Sequence, residues 1–261
     1  MSQGLQQQAE TEPQTNGAEE TEPTVDAGDD AAAEPGAFTF DDVSVVMGTY
    51  NEAAAIGTVL DDIERVTDGK AEVVCVDGSS DRTPEIAREH GARVIEQEPQ
   101  GYGVAVSAAL QAADRPVVVT TDCDDTYPME QLPEFLAEIN DGADVVSGDR
   151  LYHGAAAMPG FNRFGNHAFA AVASVLMGER VHDTTTGMRA YRKEVIESIE
   201  WTENTGLSAE LLIRPLMRGY EVREAPISYA ERAGETKLDP IQGGAEIAKS
   251  IVKVGLEERV R

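Results

Sequence analysis

The sequence predicts an α/β protein with a mostly parallel central sheet flanked by helices. Three observations carry that prediction. Short Val- and Ile-rich runs alternate with helical segments from residue 43 to residue 150. The runs are almost continuously apolar, as strands covered on both faces must be. Acidic turns follow them at Asp77 and at Asp122-Cys123-Asp124, and ligands of such sheets bind beyond the carboxyl ends of the strands.

The elements can be justified in order. Residues 1–36 hold nine acids, no base and almost nothing large and apolar. One-signed charge with low hydrophobicity cannot offset the entropy of ordering, so a disordered acidic tail is expected there. Val43 to Thr49 is a β-rich run, and Ile56, Val59, Leu60 and Ile63 share one face of the next helix. Glu72 to Val76 is a second strand. Pro84 to His90 reads as a helix with Pro in its first turn. Ala92 to Ile95, Pro116 to Thr121 and Asp144 to Ser147 are further strands, separated by helices over Val104 to Ala113 and after Pro128. Beyond residue 150 the rhythm changes to helices at Asn162 to Met177, Glu194 to Ile199 and Leu207 to Met217. A strand at Glu221 to Tyr229 and an amphipathic helix over 241–261 end the chain. The second half is therefore expected to be a helical extension of one α/β domain.

Composition narrows the function classes. Against 48 Asp and Glu there are 21 Lys and Arg, a net charge of −27. So acidic a chain is a poor partner for nucleic acid, which demands clustered bases. Five of the bases are Lys and aromatic residues make up 5%. This acid-rich, Lys-poor balance fits a cytoplasmic protein of an extreme halophile, where salt screens self-repulsion over roughly 3 Å at 1 M. No apolar run reaches the roughly 18 residues of a membrane span. The N-terminus has neither basic start nor apolar core, so no signal peptide is expected. Cys75 and Cys123 sit in apolar strand contexts and read as buried, reduced thiols.

Several residues could carry chemistry. Asp122 and Asp124, two apart at a strand end, can converge on one hard cation such as Mg²⁺ or Mn²⁺. Gly101-Tyr102-Gly103 opens a helix whose backbone N–H groups could face an anion, although a tight turn explains it as well. Arg150, Arg163, Arg189, Arg192 and Arg232 are scarce cations suited to phosphate, or equally to surface ion pairs. No metal-ligand spacing of histidines and no nucleophile–His–acid order is evident.

Together these segments resemble a known family. Thr49-Tyr50-Asn51-Glu52, Asp77-Gly78-Ser79-Ser80-Asp81, Gly101-x-Gly103 and Asp122-x-Asp124 match, in order and spacing, the family 2 glycosyltransferases of GT-A fold. Gly148-Asp149-Arg150, Arg163 with Asn166, Asp183 to Arg189, and Arg232 to Lys237 resemble the dolichyl-phosphate mannose and glucose synthase branch. The resemblance implies a GT-A domain over 37–240, with 43–150 holding the nucleotide-sugar and 151–240 the acceptor. It implies that Tyr50, Glu52, Asp77, Gly101 and Asp122 bind a GDP- or UDP-hexose, and that Asp124, with Asp122, ligands Mg²⁺ or Mn²⁺. Arg150, Arg163 and Arg232 would bracket the donor diphosphate and the acceptor phosphate, with Asn166 and Lys237 on the acceptor side. The implied reaction is an inverting transfer of mannose or glucose to dolichyl or polyprenyl phosphate. The implied place is the cytoplasm, peripheral on the cytoplasmic face of the membrane. The helices carrying Phe161, Phe164, Phe169, Val172, Val175 and Leu176, and Ile247, Ile251 and Val254, either lie in the interface or pack on the sheet. Gly48 stands where the family usually has Pro, Asp149 where it has Ser, and Thr126 where relatives often have a metal-touching Gln. Two other readings stay open: a soluble family 2 enzyme using a small phosphorylated acceptor, and a silent nucleotide-binding module.

Overall fold

A computed structural model describes residues 37–154, 157–231 and 240–260 of the chain. Strands β1 (Val43–Thr49), β2 (Glu72–Asp77), β3 (Arg93–Glu96), β4 (Val117–Thr120), β5 (Val145–Asp149), β6 (Arg189–Arg192) and β7 (Val222–Pro226) form one sheet. Its order is β3-β2-β1-β4-β6-β5-β7. Between them run α1 (Ile56–Thr67), α2 (Thr83–Glu89), α3 (Tyr102–Ala112), α4 (Leu132–Asn140), α5 (Gly160–Met177), α6 (Lys193–Ser198) and α7 (Leu207–Met217), and α8 (Pro240–Val260) follows β7.

The expected parallel arrangement holds for β1 to β4, where Thr49 stands beside Asp77 and Val43 beside Val117. Successive residues of β1 serve opposite layers. Val45 and Met47 join Ile56, Ile63 and Phe135 on one face, and Val46 joins Val74, Val106 and Leu110 on the other. That double burial is why these strands read as unbroken apolar runs.

The second half departs from the expected helical extension. β7 falls within the strand expected at Glu221 to Tyr229, but β6 was not expected, and it runs antiparallel between β4 and β5. β6 escapes a hydrophobicity reading because Arg stands at both of its ends. Arg189 is fully buried, its guanidinium donating to Ser147 Oγ at 3.0 Å and to the Thr184 carbonyl at 3.1 Å. β6 brings the chain back alongside β4, so the loop before it lies beside the Asp122 turn.

Helices α5, α7 and α8 share a third apolar cluster of Ala173, Ala209, Ile213, Ile251 and Val254, with Phe169, Leu176 and Ile247 packed on it. The α5 and α8 residues in this cluster face α7 rather than the sheet. Phe161, Phe164, Val172 and Val175 remain exposed on α5. Among the described residues no helix is long and apolar enough to cross a membrane. The acidic segment 1–36 lies outside the described residues.

Candidate active site

The loops after β1 and β2 are stitched into one rim. Asp77, at the end of β2, is 3% exposed. It accepts from the Thr49 hydroxyl at 2.5 Å, the Ser79 hydroxyl at 2.7 Å and the Ser79 N–H at 3.0 Å. Asn51, held at φ +53°, receives the Ser80 N–H at 2.9 Å, and its own N–H reaches Ser79 Oγ at 2.7 Å. The Glu52 N–H donates to Thr83 Oγ1 at 2.8 Å. Two sequence motifs thus form a single brace.

That rim opens on a cavity of about 610 Å³. Thr49, Tyr50, Glu52, Gly101, Asp122 and Asp124 all line it, so five of the six residues expected to hold donor or metal meet in one place. Asp77 is the exception. Its carboxylate is turned into the brace, and Val76 and Gly78 form the wall beside it. Gly48, where the family usually has Pro, answers a close approach: a Cβ there would lie 2.9 Å from Ala105 Cβ of α3.

The Asp122-to-Thr126 turn follows β4. Asp124 is buried, and its Oδ1 accepts the Thr126 hydroxyl at 2.6 Å and the Thr126 N–H at 3.2 Å. Thr126 therefore spends its hydroxyl on the Asp124 carboxylate. Asp125 sits at φ +63°, and burial, with the charges of Asp62 and Asp124, pushes its carboxyl up. Asp122 packs so tightly under Gly187 that a Cβ there would stand 2.7 Å from Asp122 Oδ2. The Gly187 N–H reaches Tyr127 Oη at 2.7 Å, and its carbonyl accepts from the Thr120 hydroxyl at 2.7 Å. Both thiols are free and buried; burial pushes Cys75 up to about 12, which leaves it inert.

The cluster expected to face the acceptor begins at Arg150, just past the end of β5. Its Nε and Nη2 clasp the two oxygens of Asp183 at 2.7 and 2.9 Å, and Nη2 also donates to Thr185 Oγ1 at 2.9 Å. Tyr229 lies under the guanidinium, 5.3 Å from ring centroid to Cζ. Burial pushes the Asp183 carboxyl up, but the charge and hydrogen bonds of Arg150 outweigh it and hold it below the usual range. Thr185 then donates to Asn166 Oδ1 at 3.0 Å, and Arg163 stands one turn earlier on α5, bonded to the Gly154 carbonyl at 3.1 Å. Thr185 also lines the cavity, so it joins the two sides. Arg232 and Lys237 lie outside the described residues.

Sequence reasoning missed Asn204, Thr205, Ser208 and Ile247, which close the cavity from the second half and from α8. A polar turn and one helical Ile carry no distinguishing pattern. Of the arginines expected around the donor diphosphate, Arg150 and Arg163 do not line this cavity, and Arg232 lies outside the described residues. Among the described residues, the cavity wall holds Glu52, Glu98, Asp122 and Asp124 and no Lys or Arg.

An acidic pair at a strand end, beside a cavity at the carboxyl edge of the sheet, is where an α/β protein of this kind binds its ligand. Residues 44–200 match the description Glycosyl transferase family 2, and the chain belongs to that family. It is 76% identical over 224 residues to the dolichyl-phosphate hexose transferase of Haloferax volcanii, covering 86% of this chain and 98% of that protein. That source is a halophilic archaeon, in keeping with the extreme-halophile reading of this chain's acid-rich composition. The chain is also 30% identical over 210 residues to the dolichol-phosphate mannosyltransferase of Pyrococcus furiosus, spanning 75% of this chain and 59% of that one. The glucosyl-3-phosphoglycerate synthase of Mycobacterium tuberculosis, solved with Mn²⁺, UDP-glucose and phosphoglyceric acid, superposes with a TM-score of 0.67 at 23% identity. It covers 83% of this chain and 79% of that one, and the likeness shows the shared GT-A fold.

Proposed function

We propose that the enzyme moves mannose or glucose from a GDP- or UDP-linked donor onto dolichyl or another polyprenyl phosphate, in a single inverting displacement. One observation carries this reading: a single cavity lined by Glu52, Asp122 and Asp124 is joined through Thr185 to Arg150 and Asn166. The similarity to the dolichyl-phosphate hexose transferase of Haloferax volcanii supports the same acceptor.

In this reading Tyr50, Glu52 and Gly101 hold the nucleoside, with Asp77 bracing the rim, and Asp122 holds the sugar-diphosphate. The cavity fits a divalent ion. A diphosphate entering a wall that holds four carboxylates meets repulsion that a cation relieves, and oxygen ligands at Asp122 and Asp124 suit Mg²⁺ or Mn²⁺ completed by donor oxygens and water. Bound there, the ion would neutralise the diphosphate and stabilise it as a leaving group. The acceptor phosphate is ionised near neutral pH and needs no general base. It needs positioning and relief from repulsion, which Arg150, Arg163 and Asn166 supply, with Arg232 and Lys237 assigned by the family resemblance. A phosphate oxygen attacks C1 as the C1–O bond to the diphosphate breaks, inverting that carbon.

Residues 37–240 make up the transferase domain in this reading, after an acidic tail at 1–36 and before an amphipathic helix at 241–261. The enzyme docks peripherally on the cytoplasmic face. Phe161, Phe164, Val172 and Val175, which α5 leaves exposed, supply an apolar contact, since a charge of −27 repels anionic lipid. The test is labelled transfer from UDP- and GDP-hexoses to dolichyl phosphate in multimolar KCl with Mg²⁺ or Mn²⁺. A metal-dependent, organic-extractable product, abolished in Asp124→Ala, is expected. Label in a water-soluble product would move the acceptor to a small phosphorylated molecule. Undiminished turnover by Asp124→Ala with metal chelated would sink the reading.

A further inference from the structure

The Gly101-x-Gly103 segment has the look of a phosphate cradle, yet its occupant is a side chain. The Gly103 N–H donates to Asn204 Oδ1 at 2.8 Å, and Asn204 Nδ2 donates to the Gln100 carbonyl at 2.9 Å. A Cβ on Gly103 would lie 2.5 Å from the carbonyl oxygens of Glu203 and Asn204, and one on Gly101 2.5 Å from Asn204 Nδ2. Both glycines are therefore small to let the 203–204 loop sit against the start of α3. Gln97 to Tyr102 form one wall of the donor cavity, and Asn204 and Thr205 close it beside them.

The loop that delivers Asn204 is itself held from below. Glu210, fully buried on α7, accepts the Thr202 N–H at 3.0 Å, the Thr202 hydroxyl at 3.0 Å and the Glu203 N–H at 2.9 Å. Arg214 balances that charge at 2.6 Å and reaches Glu258 of α8 at 2.5 Å. Glu203 pairs with Lys253 of α8 at 2.7 Å and receives the Ser250 hydroxyl. An unbroken polar chain thus runs from α8 to the donor wall.

We propose that Asn204 is a positioning residue for the nucleotide-sugar, locking the 97–102 wall in its binding conformation, and that the ionic contacts of α8 support the donor site through it. The inference rests on the donor cavity assigned above. Asn204 is exposed on the rim, so removing its side chain leaves no buried hole.

Calorimetric titration with UDP-glucose and GDP-mannose plus Mn²⁺, beside steady-state transfer, tests it. Asn204→Ala should weaken binding of whichever donor the wild type takes by about tenfold, equivalent to ~1.4 kcal/mol. The donor KM should rise equally, with the acceptor KM and the thermal midpoint unchanged. Gly103→Ala, pushing on the same contact from the other side, should shift donor affinity in the same direction. Donor affinity unchanged in Asn204→Ala would overturn the inference alone. So would donor KM, acceptor KM and midpoint all moving together, since that marks a merely structural residue. A wild type that binds neither donor would overturn the cavity assignment and this inference with it. Donor binding without transfer to polyprenyl phosphate would remove only the acceptor reading, and the affinities would still decide for or against Asn204.

Discussion

In the proposed reaction Arg150 is the side chain that meets the acceptor phosphate, and its setting is already rigid. Its fork meets both oxygens of Asp183, with Thr185 and the Tyr229 ring fixing the rest of the plane. A guanidinium so held loses little freedom when a phosphate arrives, whereas an ammonium cannot span two oxygens. Arg150→Lys should keep the charge and lose the geometry. Transfer should fall about a hundredfold, ~2.7 kcal/mol at the barrier, while donor affinity stays at the wild-type value because Arg150 is absent from the cavity wall. Titrating donor and measuring kcat on the same variant checks both halves; full activity would show that Arg150 only holds Asp183. The Arg itself was legible in Gly148-Asp149-Arg150. Its partner was not, since 33 residues separate Arg150 from Asp183 and only the return of the chain through β6 brings them together.

At the scale of elements, the junction of α7 and α8 is an ionic joint rather than an apolar one at its far end. Arg214 meets Glu210, Glu257 and Glu258, and Arg218 meets Glu258 at 2.8 Å. Breaking a buried pair by removing one partner leaves uncompensated charge and costs about 3–5 kcal/mol. Arg214→Met should therefore lower the thermal midpoint by roughly 6–20 °C, at 2–4 °C per kcal/mol. Adding Glu210→Gln and Glu258→Gln should restore much of it; no recovery in the triple variant would mean that shape, not charge, makes the joint. The joint also sets an acid limit. Hydrogen bonds from Arg218 and then Arg214 hold Glu258 at about 2, below its ordinary 4.5. A carboxyl depressed in the folded state stabilises fully above its unfolded value and loses that contribution as pH falls through its folded one. Stability should thus decline between about pH 4.5 and 2, and less steeply in Glu258→Gln when midpoints are followed across that range. The α8 amphipathic pattern was readable, but its ionic face was not, because Arg214 and Glu258 look like ordinary solvated charges until the fold buries them. β6 was hidden for the same reason: Arg189 reads as surface and lies in the core.

For the whole molecule, composition fixes a charge of −27, and removing the nine acids of residues 1–36 leaves −18 on the remainder. The sequence made that field plain. It did not reveal that the cavity proposed to hold the donor is itself lined by four acids and, among the described residues, no base, because lining depends on which loops converge. A nucleotide-sugar is an anion and must approach against both fields. Ordinary anion sites recruit ligand through cations and weaken as salt screens them. Here screening removes repulsion, since the Debye length shortens from ~10 Å at 0.1 M to ~3 Å at 1 M. The donor association rate should therefore rise with KCl across that range, and the thermal midpoint should rise with it as surface self-repulsion is relieved. Stopped-flow mixing with Mn²⁺ held constant, alongside thermal melts, measures both. A rate that falls with salt while the midpoint rises would place a cationic guide over the cavity mouth, with Arg232 and Lys237 the first to mutate. A midpoint that is flat or falls would show that the acidic surface is not tuned to salt at all.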